Sequence, residues 1–251
     1  MIHDASTTVP CLAGAPVYCS WSGGKDSALA LHEAIRAGAE PRFLVSMLTE
    51  GGERSRSHGL PRELLAAQAA AIGTPIRFGA ATWAGYREEF VRVVAEGIAA
   101  TGARVGVFGD IDMDEHREWE QGVCAEVGAE AVLPLWHRDR RGVTDQMLAS
   151  GFEAVIVAVR DGVLPPSLLG RTLDADVLAE IEAAGADACG ENGEFHTFVV
   201  DGPIFRGAVD VEFGERSLRD GVWFVDLLPS RAARRRAESP SSRAKKGRPG
   251  A

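Results

Sequence analysis

Short apolar runs alternate along this chain with stretches in which apolar residues return every three or four positions. Ala15–Cys19, Arg42–Leu48, Ile76–Ala80, Arg104–Phe108 and Ala131–Leu135 are too short for helices and read as buried strands. The stretches between them read as helices. One runs from Ala28 to Ala37, presents Leu29, Leu31, Ala34 and Ile35, and is stopped by Gly38 and Pro41. A second has Pro61 in its first turn and Gly73 past its end, with Leu64, Leu65, Gln68, Ala71 and Ile72 at helical spacing. Tyr86, Phe90, Val93, Val94 and Ile98 form the stripe of a third, and a fourth spans about His116 to Val127. Strands alternating with helices predict an α/β unit: a parallel five-stranded Rossmann-like sheet with right-handed crossovers, whose ligands lie beyond the strand carboxyl ends.

After Trp136 the rhythm changes. Phe152–Val159 reads as a strand, Leu164-Pro165-Pro166 breaks the chain, Asp174–Ala184 is helical, and β-like runs continue from Phe195 through Leu228. A smaller C-terminal α+β domain is expected, with the boundary near residues 138–150. The division expected is a flexible N-terminus over 1–15, an α/β domain over 16–140, the α+β domain over 141–228 and a basic disordered tail over 229–251.

Composition sharpens this picture in two places. The net charge is −9, yet eight Arg/Lys and one acid (Glu238) fall from Pro229 onward, leaving 19 bases against 35 acids in the rest. An acidic body disfavours nucleic-acid binding, which needs clustered Lys/Arg. The four cysteines (Cys11, Cys19, Cys124, Cys189) form no C-x-x-C pair, which fits a reducing, cytoplasmic setting rather than a disulfide framework or a zinc site. No run is long enough to span a membrane, and no signal peptide is read at the start. Cys124 reads as a core thiol; Cys189 is left open between core and reactive roles.

The chemistry begins at Ser20-Trp21-Ser22-Gly23-Gly24-Lys25-Asp26-Ser27, between the first strand and the first helix. A strand, a glycine turn and a helix N-terminus form an anion cradle, with φ > 0 open to Gly23 and Gly24. Ser20, Ser22 and Ser27 add hydroxyls and Lys25 a charge. The Walker A pattern fails here, because Cys19 stands where its first glycine belongs and Asp26 where its Ser/Thr belongs. A carboxylate beside phosphates needs a divalent cation between them, so Asp26 is a candidate Mg²⁺ ligand. Gly109 and Asp110 follow the fourth strand on the same sheet edge; Asp110 reads equally as a metal or substrate ligand and as a loop cap. His58 reads either as a residue beside the nucleotide or as an ordinary loop histidine. A second cluster, Glu191-Asn192-Gly193-Glu194-Phe195-His196, reads equally as amine-orienting, metal-holding or general-base machinery and as a polar turn.

The S-G-G-K-D-S loop resembles that of the N-type ATP pyrophosphatases, the PP-loop superfamily. Together with R-E-L-L-A-A-Q-A-A-A-I-G-T-P, V-F-G-D-I, Pro134-Leu135-Trp136 and G-E-N-G-E-F-H-T-F-V-V-D-G-P, it resembles the diphthine–ammonia ligase family from about residue 17 to about 206. The resemblance implies a HUP-type nucleotide-binding domain facing a smaller domain across the active cleft. It implies an ATP-dependent ligase that adenylates a carboxylate, releases pyrophosphate and lets ammonia attack the acyl-adenylate. Ser22, Gly23, Gly24 and Ser27 would hold pyrophosphate, Lys25 would neutralise it and Asp26 would anchor Mg²⁺, with Asp110 a further candidate. Glu191, Glu194 and His196 would face the acyl-adenylate and steer or deprotonate ammonium. The implied partners are ATP, ammonia and a carboxylate on an elongation factor or a small molecule; a homodimer is left open. Two alternatives compete. A tRNA-thiolating sulfurtransferase needs a persulfide cysteine, and a non-catalytic ATP-binding module leaves the Glu191–His196 cluster without a task.

Overall fold

The computed structural model describes residues 11–56 and 58–231. Of the flexible N-terminus expected over 1–15 and the disordered tail expected over 229–251, residues 1–10 and 232–251 lie outside them, whereas Pro229 ends a strand and Ser230 N donates to Asp210 O at 3.1 Å. Residues 12–15 differ from the flexible N-terminus expected, because Leu12 N donates to Ala37 O at 3.0 Å, Gly14 N to Gly38 O at 2.9 Å, and Leu12 is buried.

Five strands form the first sheet: β1 (Pro16–Ser20), β2 (Glu40–Leu48), β3 (Ile76–Ala80), β4 (Val105–Val107) and β5 (Glu130–Val132). All pairs are parallel, and the spatial order is β3-β2-β1-β4-β5. Order reverses at β1, so a crevice opens beyond the carboxyl ends of β1 and β4. The helices α1 (Lys25–Arg36), α2 (Arg62–Ile72), α3 (Tyr86–Thr101) and α4 (Asp114–Glu126) connect them. Helices cover both faces, which is why these strands read as near-continuous apolar runs rather than alternating ones. Tyr18, Phe43, Phe90, Val94 and Phe108 pack on the α3–α4 side; Val17, Cys19, Leu29 and Leu64 pack on the other.

The second sheet is antiparallel, ordered β7-β6-β9-β8 from β6 (Glu153–Arg160), β7 (Phe195–Asp201), β8 (Val211–Arg219) and β9 (Val222–Pro229). Two further helices belong to this half, α5 (Arg140–Ala149) and α6 (Ala175–Ala183). Ile156, Phe198 and Val199 share one apolar core with Leu29, Leu64 and Leu65, so the second sheet packs against the α1–α2 side of the first. Among the described residues no helix is long and apolar enough to cross a membrane.

Two elements differ from expectation. Helix α1 starts at Lys25 rather than Ala28, with Gly24 as its N-cap, so Lys25, Asp26 and Ser27 form its first turn. Polar residues there look like loop in sequence although the helix dipole favours Asp26. Helix α5 stands where only a boundary was expected. Its single buried stripe is Val143, Thr144 and Met147, and Asp139 caps it by accepting from Gly142 N at 2.7 Å.

Candidate active site

The glycine loop leaves β1 and enters α1 with every turn fixed by a named contact. Gly23 takes φ +84°, which a side chain would strain, whereas Gly24 stays at −91°. Gly24 is required by space instead: a Cβ there would stand 2.9 Å from His58 Nε2 and 3.2 Å from Thr197 O. Ser22 Oγ lies 3.1 Å from Ser27 Oγ and accepts from Gly24 N at 3.2 Å, so the two hydroxyls and the amide form one polar wall. Gly109 lies against the same turn, since its Cβ would sit 2.8 Å from the carbonyl carbon of Asp26. That contact is packing between β4's end and α1.

Lys25 is 5% exposed and its Nζ donates to both carboxylate oxygens of Asp26, at 2.8 and 2.7 Å. Burial pulls the ammonium's pKa down, but Asp26, Cys189 and Glu191 outweigh it and the net shift is upward. Lys25 therefore remains charged.

The second constellation meets the first at this point. The turn before β7 carries Cys189 and Glu191 over the loop, and Cys189 Sγ lies 3.8 Å from Asp26 Oδ1. Ligand atoms of Asp26, Cys189 and Glu191 all fall within 4.8 Å of one another. Burial, then Asp26, pushes the Glu191 carboxyl up to about 7 against the pull of Lys25. Burial pushes the Cys189 thiol up to about 12, so it stays protonated and is a poor nucleophile and a poor ligand. The donor set that fits a hard divalent cation is thus the oxygen pair Asp26 and Glu191.

His196 follows on β7, its ring 4.5 Å from that of His58. Burial, Lys25 and Arg160 pull His196 down to about 4; burial, His196 and Lys25 hold His58 well below the usual range. Both imidazoles are neutral at pH 7. Asp110 and Glu194 sit differently from their expected roles. Asp110 lies outside the Asp26–Cys189–Glu191 cluster and binds His116 Nδ1 at 2.6 Å and the Glu120 carboxyl. Glu194 is buried and turned into its own loop, accepting from Asn192 N at 3.1 Å, Asn192 Nδ2 at 3.0 Å and Asp187 N at 3.4 Å. It shapes the turn that carries Glu191.

Three residues absent from the sequence-derived set hold the site together. Gln68, fully buried on α2, bonds the glycine loop and β7. Thr197 Oγ1 accepts from Lys25 N at 3.1 Å. Arg140, on α5, pairs with Asp112 at 2.7 Å and Asp187 at 2.5 Å, tying the loop after β4 to the loop before β7. Each partner lies far off in sequence, so no local pattern marks their roles, although Gln68 and Thr197 stand inside the R-E-L-L-A-A-Q-A-A-A-I-G-T-P and G-E-N-G-E-F-H-T motifs.

Two cavities adjoin the loop on the sheet's open edge. One of about 440 Å³ lies at the β1–β4 crevice, walled by Ser20, Tyr86, Phe108, Asp110, Trp119 and Glu120. A smaller one of about 120 Å³ touches Ser20, Ser22, Met47 and His58.

Comparison with known proteins bears on this arrangement. Residues 16–131 match the diphthamide synthase N-terminal domain and residues 141–228 the diphthamide synthase C-terminal domain. Diphthine–ammonia ligase of Rattus norvegicus is 31% identical over 143 residues, 55% of this chain and 52% of that protein. The Homo sapiens protein of the same name is 31% identical over 131 residues, 51% of this chain and 48% of that one. The chain spans about half the length of the curated relatives it matches. A solved structure described as a predicted subunit of tRNA methyltransferase from Methanocaldococcus jannaschii is 18% identical, with a TM-score of 0.40 over 75% of this chain and 98% of that one.

Proposed function

The chain belongs to the diphthamide synthase family, and from that premise we propose that it is an ATP-dependent carboxylate–ammonia ligase of diphthamide biosynthesis, forming AMP and pyrophosphate through an acyl-adenylate. The observation that carries the reading is the closure of the Cys189–His196 turn onto Lys25 and Asp26, which brings an ionisable carboxyl, Glu191, to the anion cradle. A nucleotide fits with its adenosine in the aromatic β1–β4 crevice and its phosphates toward Ser22–Ser27.

A carboxylate is a poor electrophile at neutral pH, so amide formation needs a better leaving group. In this reading Ser22, Ser27 and the loop amides hold the departing pyrophosphate, while Lys25 stabilises the charge that develops on it. Asp26 would hold Mg²⁺, whose charge would offset that of the phosphates and the carboxylate. Glu191, brought beside Asp26 at the cradle, takes the proton that the attacking amine sheds. His58 and His196, both neutral, accept hydrogen bonds from ammonia rather than protonating it. The acyl group is carried on elongation factor 2 or on a small carboxylic acid, in the cytoplasm.

The sulfurtransferase alternative finds no support in the cysteines. The four are free, and the one at the site, Cys189, is protonated and buried. ATP–pyrophosphate exchange tests the proposal: exchange that depends on the acyl substrate and on Mg²⁺, and that stops on chelation, is expected. Release of ADP and phosphate would remove the adenylation step.

A further inference from the structure

Gln68 makes three hydrogen bonds and none is within its own helix. Its Oε1 accepts from Trp21 Nε1 at 2.9 Å, and its Nε2 donates to Gly23 O at 3.0 Å and to Val199 O at 2.7 Å. One N–H donor and two carbonyl acceptors leave a single amide orientation that satisfies all three, so oxygen and nitrogen are placed by chemistry. The side chain is completely buried. Gly23 O receives a second donor, Val199 N at 3.0 Å, from β7 of the other sheet. Two donors thus hold one carbonyl of the glycine loop from outside the loop.

The consequence lies on the far side of that peptide. In a trans peptide the C=O and N–H point in opposite directions, and no cis bond occurs among the described residues. Fixing Gly23 O toward Gln68 and Val199 fixes Gly24 N–H toward Ser22 Oγ, which it meets at 3.2 Å. That is the wall formed by Ser22 and Ser27, where the proposed pyrophosphate lies. Gly23, at φ +84°, lacks the side chain that would otherwise resist rotation of this peptide. Its orientation is therefore set by its partners.

We propose that Gln68 is a positioning residue: through Gly23 O, together with Val199 of the second domain, it orients the Gly23–Gly24 peptide so that Gly24 N–H serves as an anion donor. The inference rests on the reading of Ser22–Ser27 as the pyrophosphate cradle. It also couples the two domains, because the amide that bonds the cradle bonds β7 as well.

Gln68→Glu separates this role from simple packing. It keeps the acceptor for Trp21 and sets an oxygen against two carbonyls. Calorimetric titration of the full chain with inorganic pyrophosphate and Mg²⁺, far below the melting temperature, should show affinity at least ten-fold weaker. The Trp21 indole N–H resonance should stay at its hydrogen-bonded position. Gln68→Met removes both donors without charge; it should weaken pyrophosphate binding as well and shift that resonance, and it carries the comparison if the glutamate variant does not fold. A folded variant with lowered melting temperature and pyrophosphate affinity within two-fold of wild type overturns the proposal and leaves the cradle standing. Wild-type protein that binds no pyrophosphate overturns the cradle itself, and the inference with it.

Discussion

The fold holds Glu120 in its protonated form. Its carboxyl is 4% exposed, and burial and then Asp110 push it up to about 11. Asp110 is held below the usual carboxylate range: burial pushes it up, but His116 and Glu120 outweigh that. One proton is therefore shared by the pair and resides on Glu120, the deeper partner. Tyr18, Tyr86 and Cys124 also face it, and its charge would raise all three. A folded pKa above the unfolded value of 4.5 means that the stability Glu120 contributes is complete below pH 4.5 and is lost as pH rises. Glu120→Gln, which keeps a donor for Asp110, should match wild type near pH 4 and gain on the order of 3 kcal/mol by pH 7. Denaturant melts at the two pH values check this; equal differences at both would show Glu120 already ionised. Lys25→Ala should cut ATP–pyrophosphate exchange by about a hundred-fold or more, the usual cost of losing an electrostatic contact made to developing charge. Exchange within about ten-fold of wild type would free Lys25 of that role.

At the scale of elements, the site depends on pieces that hold one another in place. Glu194 anchors the Asp187–Asn192 turn, so Glu194→Ala leaves buried N–H groups unpaired and should cost about 1–3 kcal/mol of stability. The same change should impair pyrophosphate exchange and amide formation together, since the turn carries Glu191 to the loop. Amide formation lost with exchange intact would restore a direct role for Glu194. Arg140→Ala unties α5 from Asp112 and Asp187. Its guanidinium is partly solvent-exposed, so the expected effect is turnover lowered about ten-fold with a nearly unchanged Tm. How legible these elements were follows from their chemistry. The strands and α2, α3 and α4 show in apolar spacing because both faces of the first sheet are covered. Helix α5 does not, because three charged residues and a glycine surround its short buried stripe of Val143, Thr144 and Met147. Glu194 and Glu191 look alike in the motif, and only the fold turns one inward and leaves the other facing Asp26.

For the molecule as a whole, the proposed function lies in the seam between two sheets. Residues near Ser22 and residues near Glu191 are about 170 positions apart; the first cluster reads alone as an anion cradle, the second equally as a polar turn. ATP cleavage is implied by the resemblance of the glycine loop to that of the PP-loop enzymes, and the amide-forming branch by the resemblance of the second motif. Their juxtaposition required the β7 strand to reach Gly23 and Lys25 through Val199 and Thr197. Gln68, whose side chain bonds to both, carries no local signature beyond a polar residue on an apolar stripe. Ligation across this seam is the proposed reaction, and product analysis tests it. The protein is incubated with ATP, Mg²⁺, ammonia and diphthine-bearing elongation factor 2, and nucleotide and acyl products are quantified together. The account predicts AMP and pyrophosphate formed in equal amounts with a new primary amide on the factor; ADP and phosphate accompanying the amide would contradict it.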